Sequence, residues 1–372
     1  MLSRSLKVTG ALSWTRSVLP CTFRRSLAHV ANLEDIPTED DKPFNVPIAE
    51  DSFDTYHLDP PPYSVETTKR EFKQLYHDMS MIRRMELAAD SLYKEQKIRG
   101  FCHLSTGQEA VAVGIEHALT KDDKLITAYR SHGITLMRGG TVKCHSHGKG
   151  GSIHMFRENF FGGDGIVGTQ VPLGAGIAFA QQYNDSNNVT IDLYVIFGCE
   201  NNKYGMGTSV ERSSAMTEYY KRGQYIPGLR INGMDVLAVL SAVKYGKKYV
   251  QAGNGPLIYE YLTYRYAGHS VSDPGTSYRS RDEVKKERLN DPISNLKERL
   301  IDWGVLSEED SKTIDKNVRS KVNDEVAEAE KMPAPQNKSD ILFEDIYVRG
   351  SEPHQRREEP SMKLIIKIRS WI

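Results

Sequence analysis

One stretch of the sequence, residues 191–207, reads IDLYVIFGCENNKYGMG and decides the fold. The apolar run from Val189 to Phe197 predicts a buried parallel strand. A polar segment, Cys199–Gly207, follows this strand without a break. Ligands of parallel α/β proteins lie at the carboxyl ends of the strands. The stretch therefore predicts an α/β fold with a ligand-binding loop at 199–207.

The rest of the chain alternates between helical and strand patterns. Apolar residues at steps of three and four predict helices, and short apolar runs predict strands. The predicted elements are helices over 66–97, 108–119 and 171–181 and strands over 125–129 and 256–264. Beyond Arg281 the sequence is charged and helical. This alternation predicts a parallel sheet with flanking helices.

The composition narrows the class of protein. The 372 residues contain 49 Lys and Arg and 49 Asp and Glu, so the formal net charge is zero. A neutral chain lacks the overall attraction that nucleic acids and anionic membranes require. The sequence contains no apolar run long enough for a transmembrane helix, and four cysteines are too few for a disulfide framework. We therefore expect an enzyme-sized protein that binds neither nucleic acid nor membrane.

The N-terminal sequence differs from the rest. The first 33 residues lack Asp and Glu and combine Arg and Ser with apolar residues, which is typical of a mitochondrial transit peptide. A disordered basic arm is the alternative. We predict matrix localisation and four segments. They are a transit peptide over 1–30, a linker and N-terminal arm over 31–65, a main α/β domain over 66–290, and a helical C-terminal region with a divergent tail over 291–372.

Several loops carry residues suited to catalysis or to phosphate binding. Tyr129 and Arg130 end a predicted strand, where a guanidinium could bind a phosphate with two hydrogen bonds. His103 and His269 lie in loops, where most histidines are structural or solvated. After the strand of the opening stretch, the Asn202 side chain and a backbone carbonyl are oxygen donors of the kind that Mg²⁺ prefers.

Six short motifs resemble one known family. They are Gly-Phe-Cys-His-Leu at 100–104, Ala-Tyr-Arg at 128–130, Gly-Lys-Gly-Gly-Ser at 148–152, Asn-Lys-Tyr-Gly-Met-Gly-Thr-Ser-Val-Glu-Arg at 202–212, Tyr-Tyr-Lys-Arg-Gly at 219–223 and His-Ser-Val-Ser-Asp-Pro-Gly at 269–275. In this order, from about Glu66 to Asp291, they resemble the alpha subunit of the thiamine-diphosphate-dependent decarboxylase of the mitochondrial pyruvate dehydrogenase complex. The branched-chain 2-oxo acid enzyme shares this architecture.

The resemblance implies a cofactor, a reaction and roles for individual residues. It implies thiamine diphosphate with Mg²⁺, and oxidative decarboxylation of pyruvate with acetyl transfer to lipoyl groups. The implied site comprises His103 and His269 as catalytic histidines, with His269 also near the cofactor; Tyr129, Arg130, Gly165 and Val167 around the cofactor; and Asn202 and the carbonyl of Tyr204 as cofactor and magnesium contacts.

The resemblance also implies partners and regulation. The family forms a heterotetramer of two alpha and two beta subunits and works on the lipoyl-bearing acetyltransferase core of the complex. A kinase phosphorylates the alpha subunit and a phosphatase reverses this. The matching serines are Ser209, Ser270 and Ser277. A phosphate added beside a diphosphate site would repel it and disorder the loop.

One expected segment is missing. The family holds Mg²⁺ with an Asp from a Gly-Asp-Gly turn that follows a Leu-Tyr strand end, but here Tyr194 passes directly to Val195. Gly163–Gly165 and Asn187–Asn188 do not replace the motif, because neither follows that strand. Since parallel strands need a crossover of a dozen or more residues, we expect the two strands to merge into one or one strand to be lost. One βα segment is therefore missing after Tyr194.

Further departures leave three functional hypotheses open. A second shortening lies between Gly139 and Gly148, and the ending Lys363–Ile372 does not match the family. The chain is an active alpha subunit in which Asp164 or Asp192 replaces the lost ligand, an inactive alpha-like subunit that binds only the beta subunit, or an incomplete splice or gene-model product. Thiamine diphosphate and Mg²⁺ binding distinguish these hypotheses.

Overall fold

The computed structural model describes residues 36–98, 100–142, 155–184, 190–191 and 195–333. The predicted transit peptide, most of the second shortened segment and the divergent ending lie outside these ranges. The strands are β1 (Phe44–Pro47), β2 (Phe53–Tyr56), β3 (Ser64–Thr67), β4 (Lys124–Ala128), β5 (Phe160–Asp164), β6 (Thr190–Ile191), β7 (Ile196–Asn201), β8 (Tyr204–Gly205), β9 (Thr208–Ser209), β10 (Gly228–Asn232) and β11 (Leu257–Leu262).

The described helices flank these strands. They are α1 (Lys69–Lys94), α2 (Glu109–Ala118), α3 (His132–Met137), α4 (Gln170–Tyr183), α5 (Val210–Ser213), α6 (Val236–Gln251), α7 (Arg281–Arg288), α8 (Pro292–Asp302) and α9 (Glu308–Glu330), with two short 3-10 turns at Glu50–Ser52 and Tyr219–Lys221. None of these helices is both long and apolar enough to cross a membrane.

Two sheets with parallel pairing form the centre of the fold. The larger sheet has the order β2-β10-β11-β7, in which β10, β11 and β7 are parallel and β2 is antiparallel at the edge. The smaller sheet has the order β5-β4-β6 and is parallel throughout. The predicted α/β class is confirmed.

The stretch that opened the sequence analysis spans both sheets. The single strand predicted over 189–197 is wrong, because β6 pairs with β4 whereas β7 pairs with β11. The alternative expectation, loss of one strand, stays a prediction. The few residues between Ile191 and Ile196 leave no room for a crossover helix. The chain therefore passes directly from one sheet to the other.

The central core lies between α2, α6 and the larger sheet. Eight of the ten residues of α2 are buried, and α2 packs closely on α6 because Gly114 lies against Val239 without an intervening side chain. Around this core, α1 buries an apolar stripe against α8 and α9. The Thr68 side chain begins α1 by accepting a hydrogen bond from the Glu71 amide.

The segment predicted as a linker and arm, residues 31–65, forms more structure than expected. Here β1 and β3 pair with each other, and β2 joins the larger sheet. The region after 291 is helical as expected, and it packs on the main domain through the hydrogen bond from the Tyr76 hydroxyl to Asp315, 2.8 Å long. The predicted domain boundaries stay predictions.

Gly107 tests the packing of the loop before α2. This residue has φ +94° and would direct a Cβ into the carbonyl oxygen of Tyr264. We expect Gly107→Ala to cost about 2 kcal/mol more in unfolding free energy than Gly139→Ala. Gly139 is a matched control, because its φ is +85° but its Cβ would meet open space. Equal denaturation midpoints for the two variants would contradict this packing.

His117 gives the fold a pH dependence. Burial lowers the pKa of His117, but hydrogen bonds and charges from Asp78 and Glu71 outweigh it and raise the pKa to about 9. The pKa of a histidine in the unfolded chain is about 6.5. The stabilisation of the fold by protonated His117 is therefore complete below pH 6.5 and is lost as the pH rises through 9. We expect a loss of about 2 kcal/mol over that window. Urea titrations at several pH values measure the unfolding free energy. His117→Gln should flatten its dependence on pH between 6.5 and 9, whereas the exposed control His57→Gln should leave this dependence unchanged.

Candidate functional site

The candidate site forms where three loops meet at one end of the sheets. Tyr129 directly follows β4, His103 lies before α2, and His269 lies in the loop after β11. The ring centroids of His103 and Tyr129 are 4.3 Å apart, and those of His103 and His269 are 5.0 Å apart. The structure thus brings together three predicted residues from distant parts of the chain.

Arg130 joins the loops that carry the two histidines. Its guanidinium donates to the backbone carbonyls of Leu104, at 2.6 Å, and His269, at 3.0 Å. Burial, followed by repulsion from the Arg265 charge, lowers the pKa of Arg130 to about 10. Arg130 therefore stays charged at neutral pH and fixes the positions of both loops.

Both histidines are neutral at physiological pH. Burial and the nearby Arg130 charge lower the pKa of His103 to about 3, and the same two causes lower the pKa of His269. Within the described residues, neither Nδ1 atom has a hydrogen-bond partner. A buried ring nitrogen without a partner is costly, so a ligand that bonds to these atoms would be favoured.

Asp273 fixes the backbone next to His269. Its carboxylate accepts hydrogen bonds from the amides of His269 and Gly275, at 2.6 and 2.8 Å, and from the Tyr278 hydroxyl, at 2.6 Å. Partial burial acts to raise the pKa of Asp273, but these hydrogen bonds outweigh it and lower the pKa. The ionised carboxylate therefore holds the 269–278 loop in one conformation.

Arg265 is a site residue that the sequence reasoning missed. This side chain is 1% exposed, and its guanidinium donates to the carbonyls of Tyr204, at 3.3 Å, and Met206, at 2.9 Å, and to the Tyr278 hydroxyl, at 3.2 Å. Its Nε atom has no partner among the described residues. The sequence contains one indication of this role. Arg265 follows the largely apolar strand β11 closely, and a charged residue at that position is buried at the end of the sheet.

The predicted magnesium contacts bind other protein groups. The Asn202 amide donates to the Gln108 side chain at 2.9 Å, and the carbonyl of Tyr204 accepts from Arg265. In the described ranges no three His, Cys, Asp or Glu residues are grouped so that they could hold a metal ion. Because Mg²⁺ prefers charged oxygen ligands, this donor set does not fit it.

Glu200 is the carboxylate next to this region. The Gln108 amide donates to it at 3.2 Å. Its side chain reaches solvent, but the surrounding protein still desolvates the carboxylate and raises its pKa to about 7, with Arg130 offsetting part of this effect. Glu200 therefore carries only a partial negative charge at neutral pH.

The glycine loop with Gly165 and Val167 is exposed between β5 and α4. The Asp164 carboxylate closes this loop on itself by accepting from the Ile166 amide, at 2.9 Å, and from the Thr169 hydroxyl. Because both carboxylate oxygens of Asp164 accept hydrogen bonds within this turn, Asp164 is not favoured as a replacement magnesium ligand. Asp192, the other candidate, lies outside the described residues.

The three predicted phosphorylation sites differ in exposure. Ser277 is exposed and Ser209 is partly buried at the start of α5. Ser270 is only 6% exposed, and its hydroxyl lies 2.8 Å from that of Ser272. A modifying enzyme would reach Ser270 only after its loop moves. The roles of all three serines stay predictions.

Comparison with known proteins agrees with this α/β architecture. The model of the dehydrogenase E1 component family matches residues 77–194 and 191–338. Proteins described as mitochondrial pyruvate dehydrogenase E1 component subunit alpha are 53% identical in Chaetomium thermophilum, covering 96% of this chain and 97% of the relative, and 51% identical in Schizosaccharomyces pombe, covering 90% of each. The chain therefore belongs to the dehydrogenase E1 component family, among the pyruvate dehydrogenase alpha subunits.

A third relative, from Saccharomyces cerevisiae, carries the same description and is 52% identical over 86% of this chain and 84% of its own. These names confirm the resemblance and favour the pyruvate enzyme over the branched-chain enzyme. They also confirm the predicted mitochondrial localisation. The family match stops at residue 194 and restarts at 191, so it divides where the chain passes from β6 to β7.

A substitution of Arg130 tests the basic site, which consists of Arg130, Arg265, His103 and His269. Lysine at this position would keep the charge, but one ammonium group cannot replace a fork that bonds two separate carbonyls. We expect Arg130→Lys to weaken binding of inorganic diphosphate about tenfold in calorimetry. Arg212→Lys, on the exposed surface, is the matched control and should bind like the parent. Unchanged affinity in Arg130→Lys would show that this arginine does not organise the site.

Proposed function

We propose that the chain is the alpha subunit of a mitochondrial pyruvate dehydrogenase and holds the diphosphate end of thiamine diphosphate. The observation that carries this proposal is the convergence of His103, Arg130 and His269 from separate loops. The enzyme would decarboxylate pyruvate and transfer the acetyl group to lipoyl groups of the complex, which feeds acetyl-CoA formation.

The basic site suits a diphosphate. Within the described residues neither Arg130 nor Arg265 forms a salt bridge with a carboxylate; both bond to carbonyls or a hydroxyl. Two guanidinium groups that lack acidic partners favour an anion between them. The unpartnered nitrogens of His103, His269 and Arg265 are further hydrogen-bonding groups for it.

Each residue has a physical task in this proposal. Thiamine diphosphate, when bound, supplies the nucleophilic carbon and the electron sink for decarboxylation. Arg130 would bind the diphosphate while its carbonyl contacts keep both histidines in place. Neutral His103 and His269 would hold or pass a proton at Nδ1, and Tyr129 would cover the site and exclude water.

A beta subunit would complete the enzyme by holding the other end of the cofactor. Helix α4 supports this partner, because its large apolar residues face solvent: Phe179 is 69% and Tyr183 is 80% exposed, and Val171 and Leu173 are also exposed. Contiguous exposed apolar surface marks protein interfaces. We propose a heterotetramer of two alpha and two beta subunits that docks on the lipoyl-bearing acetyltransferase core.

We further propose that a kinase and a phosphatase regulate the chain through Ser209, Ser270 and Ser277. Ser270 follows His269 directly, and the His269 carbonyl accepts from Arg130. A phosphate on Ser270 would compete with the cofactor diphosphate for the same guanidinium. The half-buried Asp273 network would have to open to accommodate the added charge.

Assembly with the beta subunit tests this function. Co-expression with the beta subunit of the same organism should give a soluble heterotetramer, measured by light scattering. A charge on the exposed face of α4, in Phe179→Glu, should weaken assembly at least about tenfold. Thr313→Glu places the same charge on an exposed face of α9 and should assemble normally. Failure of the parent chain to form a soluble complex would contradict the proposal.

A further inference from the structure

The two halves of the candidate site differ in what they can bind. Arg130 and Arg265 supply positive charge without acidic partners among the described residues. By contrast, the groups that would face a cation carry no negative charge: Asn202, whose amide nitrogen donates to Gln108, offers only a neutral side-chain oxygen, and the Tyr204 carbonyl accepts from Arg265. A guanidinium 3.3 Å from that carbonyl repels a divalent cation.

The chain is also shorter than one of its relatives within their aligned region. The alignment with the Chaetomium thermophilum protein runs over 400 residues, more than the 372 of this chain. The relative therefore carries extra residues inside the aligned region. The family match divides at 191–194, and here the smaller sheet ends at β6 while the larger sheet ends at β7.

An open edge at β7 marks the same position in the fold. In the described residues β7 pairs with β11 on one side only, and β6 is close to its other side without joining its sheet. A parallel strand reached through a crossover helix could pair with such an open edge. Its carboxyl end would lie beside the ends of β4 and β7, where the candidate site is.

We infer that this chain has the anion-binding half of the site but lacks the cation-binding half, so magnesium ions do not strengthen its binding of a diphosphate. The inference rests on the proposed function, because it assumes that the basic site takes the cofactor diphosphate. Arg130 and Arg265 bind the phosphate oxygens directly, and the segment absent after Tyr194 is the part that would supply a charged oxygen for the metal.

Calorimetry on the co-expressed complex tests this inference. The probes are thiamine diphosphate and, separately, inorganic diphosphate, each titrated in chelator-treated buffer and again with Mg²⁺. We expect each Kd to change less than about threefold on addition of Mg²⁺. Tightening by about tenfold or more would overturn the inference. In that case Glu200→Gln and Asp192→Asn would show which carboxylate supplies the charge.

An insertion provides the complementary test. The residues that the Chaetomium thermophilum relative carries between its positions matching Tyr194 and Val195 are inserted after Tyr194. This variant should gain a Mg²⁺-dependent tightening of about tenfold or more, together with pyruvate-dependent turnover above that of the parent. A folded insertion variant whose Kd does not change on addition of Mg²⁺ would overturn the inference that the missing segment supplies the magnesium ligand. If the insertion does not fold, the titrations of the parent chain decide.

The outcomes separate this inference from the proposed function. Binding of both probes with equal affinity in the two buffers supports both. Binding that requires Mg²⁺ overturns the inference and leaves the proposed function intact. No binding of either probe by an assembled complex, with or without Mg²⁺, overturns the proposed function itself.

Discussion

The site depends on one guanidinium group. Arg130 donates to the carbonyl of Leu104 in the loop before α2 and to the carbonyl of His269 in the loop after β11. These two bonds place the imidazoles of His103 and His269 within 5.0 Å of each other. No short-range pattern could do this, because the loops follow different elements. The histidine pair is therefore a consequence of where β4 ends and where Arg130 lies.

A cation in such a position is costly unless its surroundings compensate. Carbonyl oxygens bond to Arg130 and Arg265 but carry no full negative charge, and the carboxylates of Glu86 and Glu200 offset the Arg130 charge only in part. Burial, together with the repulsion between Arg130 and Arg265, lowers the pKa of Arg130 to about 10. Asp273 bonds to the amides of His269 and Gly275 rather than to either guanidinium, and the Tyr278 hydroxyl links it to Arg265. Binding of an anion would therefore relieve the repulsion between the two guanidinium groups.

The sequence predicts the local elements well and the long-range arrangement poorly. Helical periodicity places α1 within three residues of its observed ends, and strand ends correctly locate Tyr129 and Arg130. The sheet to which a strand belongs depends on pairing between distant segments. The sequence therefore does not predict β2 within the linker, and it predicts one strand over 189–197 where the structure has two. The sequence does not predict the role of Arg265, because its guanidinium bonds to two backbone carbonyls. Every residue has a backbone carbonyl, so residue types do not reveal such partners. The family resemblance, not the spacing, supplied the histidine roles.

The predicted absence of one βα unit after Tyr194 would explain two features of the structure together. In a parallel sheet each strand contributes a backbone partner to its neighbours and a loop to the ligand site at its carboxyl end. Removal of one strand with its crossover therefore divides the sheet and removes a ligand-contacting loop in one step. The division is seen where β6 and β7 pair in separate sheets. In the loops that the structure describes, the Asn202 amide nitrogen donates to Gln108 and the Tyr204 carbonyl accepts from Arg265. Arg130 and Arg265 lie in the loops that follow β4 and β11, so the arginines proposed to bind the anion do not depend on that unit.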